Sequence, residues 1–174
     1  MNVLDLEGLR YFYQQYIADL QKTVNAPGRP DILNGMTMLG GDALSKEEGK
    51  VTDAAAQYEV IEKSLAETGE IFLTDISLPK GLYSVMVRMK VSDITSTENI
   101  LKLEILDGEN TTVKYIKPSM FRKANTFMTV GCAVENTSGT LKIALRVDKA
   151  LIGKTAGVDY LALSPAMVGI TSIG

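Results

Sequence analysis

Apolar and polar residues alternate with a period of two over most of the chain after Gly69. The alternation is strictest at residues 83–91, 101–105 and 141–147, where Val, Leu, Ile and Met positions are separated mainly by polar or charged residues. Successive side chains of an extended strand point to opposite faces, so this period predicts strands with one buried and one solvent-facing side. Half-buried strands of this kind are typical of antiparallel sheets. The alternation therefore favours a mainly β fold.

Short turn-forming sequences separate the alternating stretches: "PKG" precedes Leu82, "DGEN" covers residues 107–110 and "ENTSG" covers residues 135–139. Further strands are predicted at residues 58–62, 70–76, 112–116, 126–134, 158–163 and 167–171. For the first of these, the spacing of apolar residues between 54 and 65 also fits a helix. About eight or nine short strands with such turns indicate an antiparallel β-sandwich or jelly roll. The side chains expected to face its core are Tyr83, Val85, Val87, Leu103, Ile105, Leu141, Ile143, Leu145 and Tyr160.

The N-terminal stretch has a different period. Five apolar residues follow a 3-4-3-4 spacing that places them on one stripe of an α-helix. They are Leu6, Leu9, Tyr13, Tyr16 and Leu20. Between residues 25 and 50 the chain has five glycines, two prolines and no sustained period, which predicts a connector. The expected organisation is a helix at 1–24, a Gly/Pro-containing linker at 25–57 and a jelly-roll β-sandwich at 58–174.

The residue inventory leaves little room for catalysis. The 174 residues include no histidine, which removes the commonest general base, the Ser-His-Asp arrangement and the usual zinc ligand. Cys132 is the only cysteine, and its place in an alternating strand predicts a small buried hydrophobic residue. The 21 acidic residues leave a glycosidase-type carboxylate pair formally open, although no sequence feature selects a pair. We expect a non-enzyme with no catalytic, cofactor-binding or metal-binding residues.

Charge and hydropathy limit the partners. The formal net charge is −3 and no segment is strongly basic, so nucleic-acid binding through phosphate contacts is not expected. The longest apolar runs are far shorter than the roughly 20 residues that span a bilayer, and the N-terminus lacks the pattern of a signal peptide. The expectation is a soluble protein, made in the cytoplasm, that does not enter a membrane.

Two stretches, "KGLYSVMVRMKVSD" at residues 80–93 and "GVDYLALSP" at residues 157–165, resemble the middle and closing strands of jelly-roll carbohydrate-binding modules and galactose-binding-like β-sandwiches. In those modules a Gly-x-Tyr start leads into a Val-rich strand that carries an Arg, and the domain closes on an Asp-Tyr pair. The resemblance implies that Asp159 helps to hold a structural calcium ion and that Tyr160 belongs to the core. The chain departs from the pattern in having no Trp, since sugar rings commonly stack on aromatic faces.

The opening "LDLEGLRYFYQQYIADL" resembles the N-terminal anchor of bacteriophage virion fibres and of receptor-binding proteins such as head or tail fibres. In that family a short helix attaches or trimerises the protein, and a β-sandwich tip is displayed outward. The resemblance implies a homotrimer in the virion, joined through the five-residue stripe, with other virion proteins and a cell-surface glycan as partners. The alternative is a bacterial carbohydrate-binding module or small glycan-active protein whose helix packs on its own domain. The mass in solution discriminates between the two, because only the first requires an oligomer.

Overall fold

The computed structural model of the protein describes residues 37–44 and 50–165. The predicted oligomerisation stripe, consisting of Leu6, Leu9, Tyr13, Tyr16 and Leu20, lies outside these residues, and so does the predicted strand at 167–171. The secondary-structure elements are β1 (Thr37–Gly40), α1 (Gly41–Leu44), β2 (Lys50–Val51), β3 (Val60–Ser64), β4 (Gly69–Ser77), β5 (Gly81–Val91), β6 (Leu101–Asp107), β7 (Asn110–Ile116), a 3-10 helix (Pro118–Met120), β8 (Met128–Asn136), β9 (Thr140–Val147) and β10 (Thr155–Pro165).

The described strands form two antiparallel sheets. Sheet A has the order β2-β3-β10-β5-β8, and β1 pairs with the second half of β10 beyond the end of β3. Sheet B has the order β4-β9-β6-β7. The two stretches that resemble carbohydrate-binding modules form β5 and β10, which pair directly in sheet A. The prediction of a mainly β, antiparallel sandwich is confirmed.

The sheets enclose one apolar core. Alternate residues of β5, β6 and β9 point inward, and nearly all of these side chains are fully buried. The predicted core positions found buried are Tyr83, Val85, Val87, Leu103, Ile105, Leu141, Ile143 and Leu145. Cys132 packs against the same core from β8, but it is only partly buried, whereas the sequence predicts a buried residue. Within the described residues, no helix is long and apolar enough to cross a membrane.

The N-terminal boundary of the sandwich differs from the prediction. Strands β1 and β2 lie within residues 25–57, the range that the sequence predicts as a linker, and both strands hydrogen-bond into sheet A. Gly41 makes this path feasible, because a Cβ at that position would stand 2.0 Å from the carbonyl oxygen of Glu59. The sheet therefore includes residues N-terminal to Tyr58. The ambiguous segment after Tyr58 forms a strand, β3, rather than a helix.

Candidate functional site

A β-bulge in β10 changes which residues of this strand point into the core and which point outward. The register of β10 against β5 shifts between Val158 and Tyr160, so Asp159 is the extra residue. Val158 and Leu161 are fully buried in the core, whereas Tyr160 is only half-buried and pairs with Arg88 on the outer face of sheet A. The prediction that Tyr160 belongs to the core is therefore wrong, because a bulge turns the residues on either side of it to different faces.

The Asp159 carboxylate is buried beneath the segment that precedes β3. It accepts hydrogen bonds from the backbone N–H groups of Gln57, at 3.0 and 3.1 Å, and of Tyr58, at 2.9 Å. It also forms an ion pair with the Arg88 guanidinium, whose second nitrogen donates to the carbonyl oxygen of Ala55 at 3.0 Å. The Asp159 side chain has no exposed surface. These five residues, which we call the Asp159 cluster, fasten the segment before β3 onto sheet A.

The donor set of the Asp159 cluster does not fit a calcium ion. Calcium requires six to eight oxygen ligands in proteins, and both backbone partners here are N–H donors that would oppose a cation. The Ala55 carbonyl, which could act as a ligand, accepts a bond from Arg88 instead. Within the described residues no group of three or more His, Cys, Asp or Glu residues is placed to hold a metal ion. The calcium ion implied by the resemblance is therefore not supported at Asp159.

Aromatic rings flank the guanidinium of Arg88 on the outer face of sheet A. The ring of Phe127 lies 4.7 Å from its central carbon, and the ring of Tyr160 lies 5.9 Å from it. Tyr160 in turn meets Tyr58 edge-on, with ring centroids 6.1 Å apart. The ammonium of Lys90 lies 5.3 Å from the centre of the Phe127 ring. Arg88 thus links the buried carboxylate to an aromatic surface.

Lys90 forms a second ion pair on the same face. Its ammonium donates to the Asp53 carboxylate at 2.5 Å, and this hydrogen bond lowers the pKa of Asp53. The lysine crosses β10 at Gly157, where a Cβ would stand 2.8 Å from the lysine side chain. Both cations of β5 are therefore committed to carboxylates of the chain, so neither offers a free charge to a ligand.

Free positive charge lies instead in the loop between β7 and β8. A cavity of about 270 Å³ is lined by Arg122, Lys123, Thr126, Phe127 and Met128, and we call it the basic cavity. Arg122 and Lys123 are exposed, and neither forms an ion pair with any residue that the structure describes. The loop, residues 117–127, contains three basic residues and no acidic one. The basic cavity therefore combines an aromatic ring, a hydroxyl and two uncommitted cations.

A second cavity, of about 320 Å³, lies where "DGEN" meets "ENTSG". Asp107 lines it, but its carboxylate accepts bonds from the backbone N–H groups of Thr137 and Ser138, at 2.8 and 2.7 Å, and from the Thr137 hydroxyl. The bonds from Ser138 and Thr137 hold the pKa of Asp107 well below its usual range. Asp107 thus braces two adjacent turns, and its oxygens are already occupied by protein donors.

The outer face of sheet B carries mutually paired charges. Lys102 lies 3.0 Å from Glu104, and Arg146 lies 3.2 Å from Glu70. Exposed ion pairs of this kind are typical of a solvated surface and contribute little to stability. We therefore take the basic cavity, with the aromatic surface beside it, as the candidate functional site.

Sequence reasoning missed the cavity residues Arg122, Lys123 and Phe127. The sequence does contain an indication of this positive charge, since the residues just before Phe127 include basic side chains and no acidic one. It is masked in the overall charge balance, because acidic residues elsewhere after Val51 offset the basic residues of the loop. Sequence reasoning singled out both strands that supply Arg88 and Asp159, but nothing local indicates that the two side chains meet.

Comparison with solved structures places the fold among β-sandwiches. A family 35 carbohydrate-binding module from an environmental isolate has 13% sequence identity over 75% of this chain and 97% of its own, with a TM-score of 0.50. The CBM36-1 domain of a multidomain xylanase from the hindgut metagenome of Trinervitermes trinervoides has 14% identity over 76% of this chain and 99% of its own, with a TM-score of 0.49.

The insecticidal crystal protein Cry7Ca1 of Bacillus thuringiensis matches 79% of this chain with 23% of its own, at 11% identity and a TM-score of 0.49. No protein-family model and no curated protein sequence matches the chain. At these identities the likeness to the family 35 module concerns the fold alone. The chain therefore shares the β-sandwich fold of carbohydrate-binding modules.

Proposed function

We propose that the protein is a non-catalytic glycan-binding β-sandwich whose basic cavity binds a sugar that carries a carboxylate or sulfate group. The observation that carries this proposal is the meeting of Phe127 with the uncommitted cations of Arg122 and Lys123 at one cavity. A sugar ring presents an apolar face to an aromatic side chain, and an acidic substituent matches the cations. The family 35 module, which shares the fold, is itself named as carbohydrate-binding.

The dimensions of the basic cavity suit a small ligand. Its volume of about 270 Å³ is close to the lower end, near 300 Å³, of the usual range for ligand sites. A single ring or the end of a chain fits this space better than a long polysaccharide segment. The affinity of one site is therefore expected to be weak, and several copies on one particle would strengthen attachment through multivalency.

Affinity electrophoresis and titration calorimetry with defined oligosaccharides test the proposal. The probes are oligogalacturonates and alginate oligomers as acidic glycans, with xylo-oligosaccharides and laminarin oligomers as neutral ones. We expect the acidic set to bind more tightly and to weaken as salt increases, because salt screens exposed charges. Binding to neither set, or equal binding to both, would contradict the proposal.

Paired variants separate a specific site from general charge. Arg122→Ala/Lys123→Ala should weaken acidic-glycan binding roughly tenfold, which corresponds to about 1.4 kcal/mol. Lys80→Ala/Lys142→Ala is the matched control, since it also removes two positive charges. Lys80 lies in the turn before β5 and Lys142 lies on β9 of sheet B, away from the basic cavity. Phe127→Ala should weaken binding to a similar extent through the lost ring. Equal losses in the two double variants would show that only net charge matters.

The virion role belongs to the same proposal as its biological setting. In this view the chain is a phage fibre or decoration protein, anchored and trimerised by the predicted helix at 1–24 and displaying the sandwich outward. A bacterial carbohydrate-binding module is the second candidate, and the fold of the family 35 module favours it. Light scattering of the full chain discriminates between them, because a trimer supports the first candidate and a monomer supports the second.

A further inference from the structure

We propose that the guanidinium of Arg88 takes the place of a structural cation at Asp159, so that the sandwich holds its closing strand without calcium. A carboxylate with no exposed surface needs a compensating charge, because burying an ion without a partner is very costly. Arg88 supplies the only formal positive charge in contact with Asp159 among the described residues. Its own side chain is 23% exposed, so the pair spans the boundary between interior and solvent.

The Asp159 carboxylate and the Arg88 guanidinium both have their hydrogen-bond partners within the chain. The carboxylate receives the backbone N–H groups of Gln57 and Tyr58 as well as Arg88. Arg88 uses its second nitrogen for the Ala55 carbonyl. The guanidinium therefore joins the bulge of β10 to the segment before β3, over 71 residues of sequence separation on one side and 33 on the other. A bound metal ion would have to displace the arginine, and the two backbone N–H groups that now point at the carboxylate would have to turn away.

Arg88 also connects this cluster to the candidate site. The central carbon of its guanidinium lies 4.7 Å from the centre of the Phe127 ring, and Phe127 lines the basic cavity. The arginine is thus placed both to neutralise a buried charge and to pack against the Phe127 ring. In this arrangement the shape of the cavity is expected to be as independent of calcium as the fold.

The unmodified protein provides the first test. Its unfolding temperature is measured by differential scanning calorimetry in excess calcium chloride and in excess EDTA. We expect the two temperatures to agree. A calcium ion present at about 100 times its dissociation constant would raise the unfolding temperature by roughly 5 to 10 °C. A rise of that size on adding calcium would overturn the proposal.

A double-mutant cycle provides the second test, with the unfolding temperature again as the readout. Arg88→Met keeps much of the side-chain length but removes the charge, and it should lower the unfolding temperature by roughly 10 to 20 °C because Asp159 stays buried and unpaired. Asp159→Asn removes the other charge. The double variant should lose clearly less than the sum of the single losses, since the two groups interact directly.

The matched control is Arg146→Met on the outer face of sheet B, where Arg146 is 38% exposed and pairs with Glu70. It should shift the unfolding temperature by no more than a few degrees. Additive losses in the cycle, or a loss for Arg88→Met no larger than for Arg146→Met, would overturn the proposal. Should Arg88→Met fail to fold, the calcium measurement on the unmodified protein decides alone.

Discussion

Two tyrosines on the paired strands β5 and β10 occupy opposite faces of sheet A. Tyr83 is 2% exposed, and its hydroxyl donates to the carbonyl oxygen of Pro79 at 2.8 Å. Tyr160 is half-buried on the outer face, where it touches Tyr58 edge-on and lies beside Arg88. Changing each tyrosine to Ala therefore removes core packing in one case and surface packing in the other.

The structure leads to different magnitudes for the two changes. Tyr83→Ala should lower the free energy of unfolding by about 3 to 5 kcal/mol, the range for removing a large buried aromatic side chain. Tyr160→Ala loses one edge-to-face contact, about 0.5 to 1.5 kcal/mol, and one cation–π contact, about 0.5 to 1 kcal/mol. Its expected total is therefore about 1 to 2.5 kcal/mol. Tyr83→Phe isolates the hydroxyl and should cost about 1 kcal/mol.

Urea unfolding followed by far-ultraviolet circular dichroism measures all three variants. The dependence of the free energy on urea should stay unchanged, so that the midpoints report stability alone. If Tyr160→Ala cost as much as Tyr83→Ala, Tyr160 would belong to the core and the bulge at Asp159 would be refuted. A neutral Tyr83→Phe would refute the hydrogen bond to Pro79.

Three further predictions concern other parts of the chain. Gly131→Ala should cost about 1 to 3 kcal/mol in thermal unfolding, because its Cβ would stand 2.1 Å from the Val85 carbonyl oxygen and force β5 and β8 apart; a neutral effect would contradict that pairing. The lowered pKa of Asp107 means that its contribution to stability is present above its unfolded pKa of about 3.9 and is lost as the pH falls below that value. Asp107→Asn should therefore weaken the pH dependence of the urea midpoint at acid pH. An unchanged dependence would contradict a stabilising role for the bonds between Asp107 and the two turns. Leu9→Asp/Tyr13→Asp should lower the assembly mass in light scattering while strand content is kept, whereas unfolding of the sandwich with unchanged assembly would mean that the helix packs on its own domain.

Most of the strands and most of the core could be predicted from the sequence, although β1 and β2 could not. Alternation predicts that Leu103 and Leu145 face the core, and both are fully buried. This succeeds because a period of two is a local property: each strand separates its own side chains into two faces, and the richer apolar face becomes the inner one. The turn sequences mark the strand ends for an equally local reason, since glycine, proline and asparagine favour the required backbone angles.

Which polar groups meet depends on the folded chain and could not be predicted from the sequence. The face of Tyr160 depends on a bulge, and a bulge is a property of the register between two strands rather than of either strand alone. Arg88 reaches Asp159 across 71 residues because β5 and β10 pair, and Phe127 reaches Arg88 because the loop before β8 closes over sheet A. A buried charge selects its partner by distance and desolvation in the folded chain, and alternation along the sequence carries no information about either.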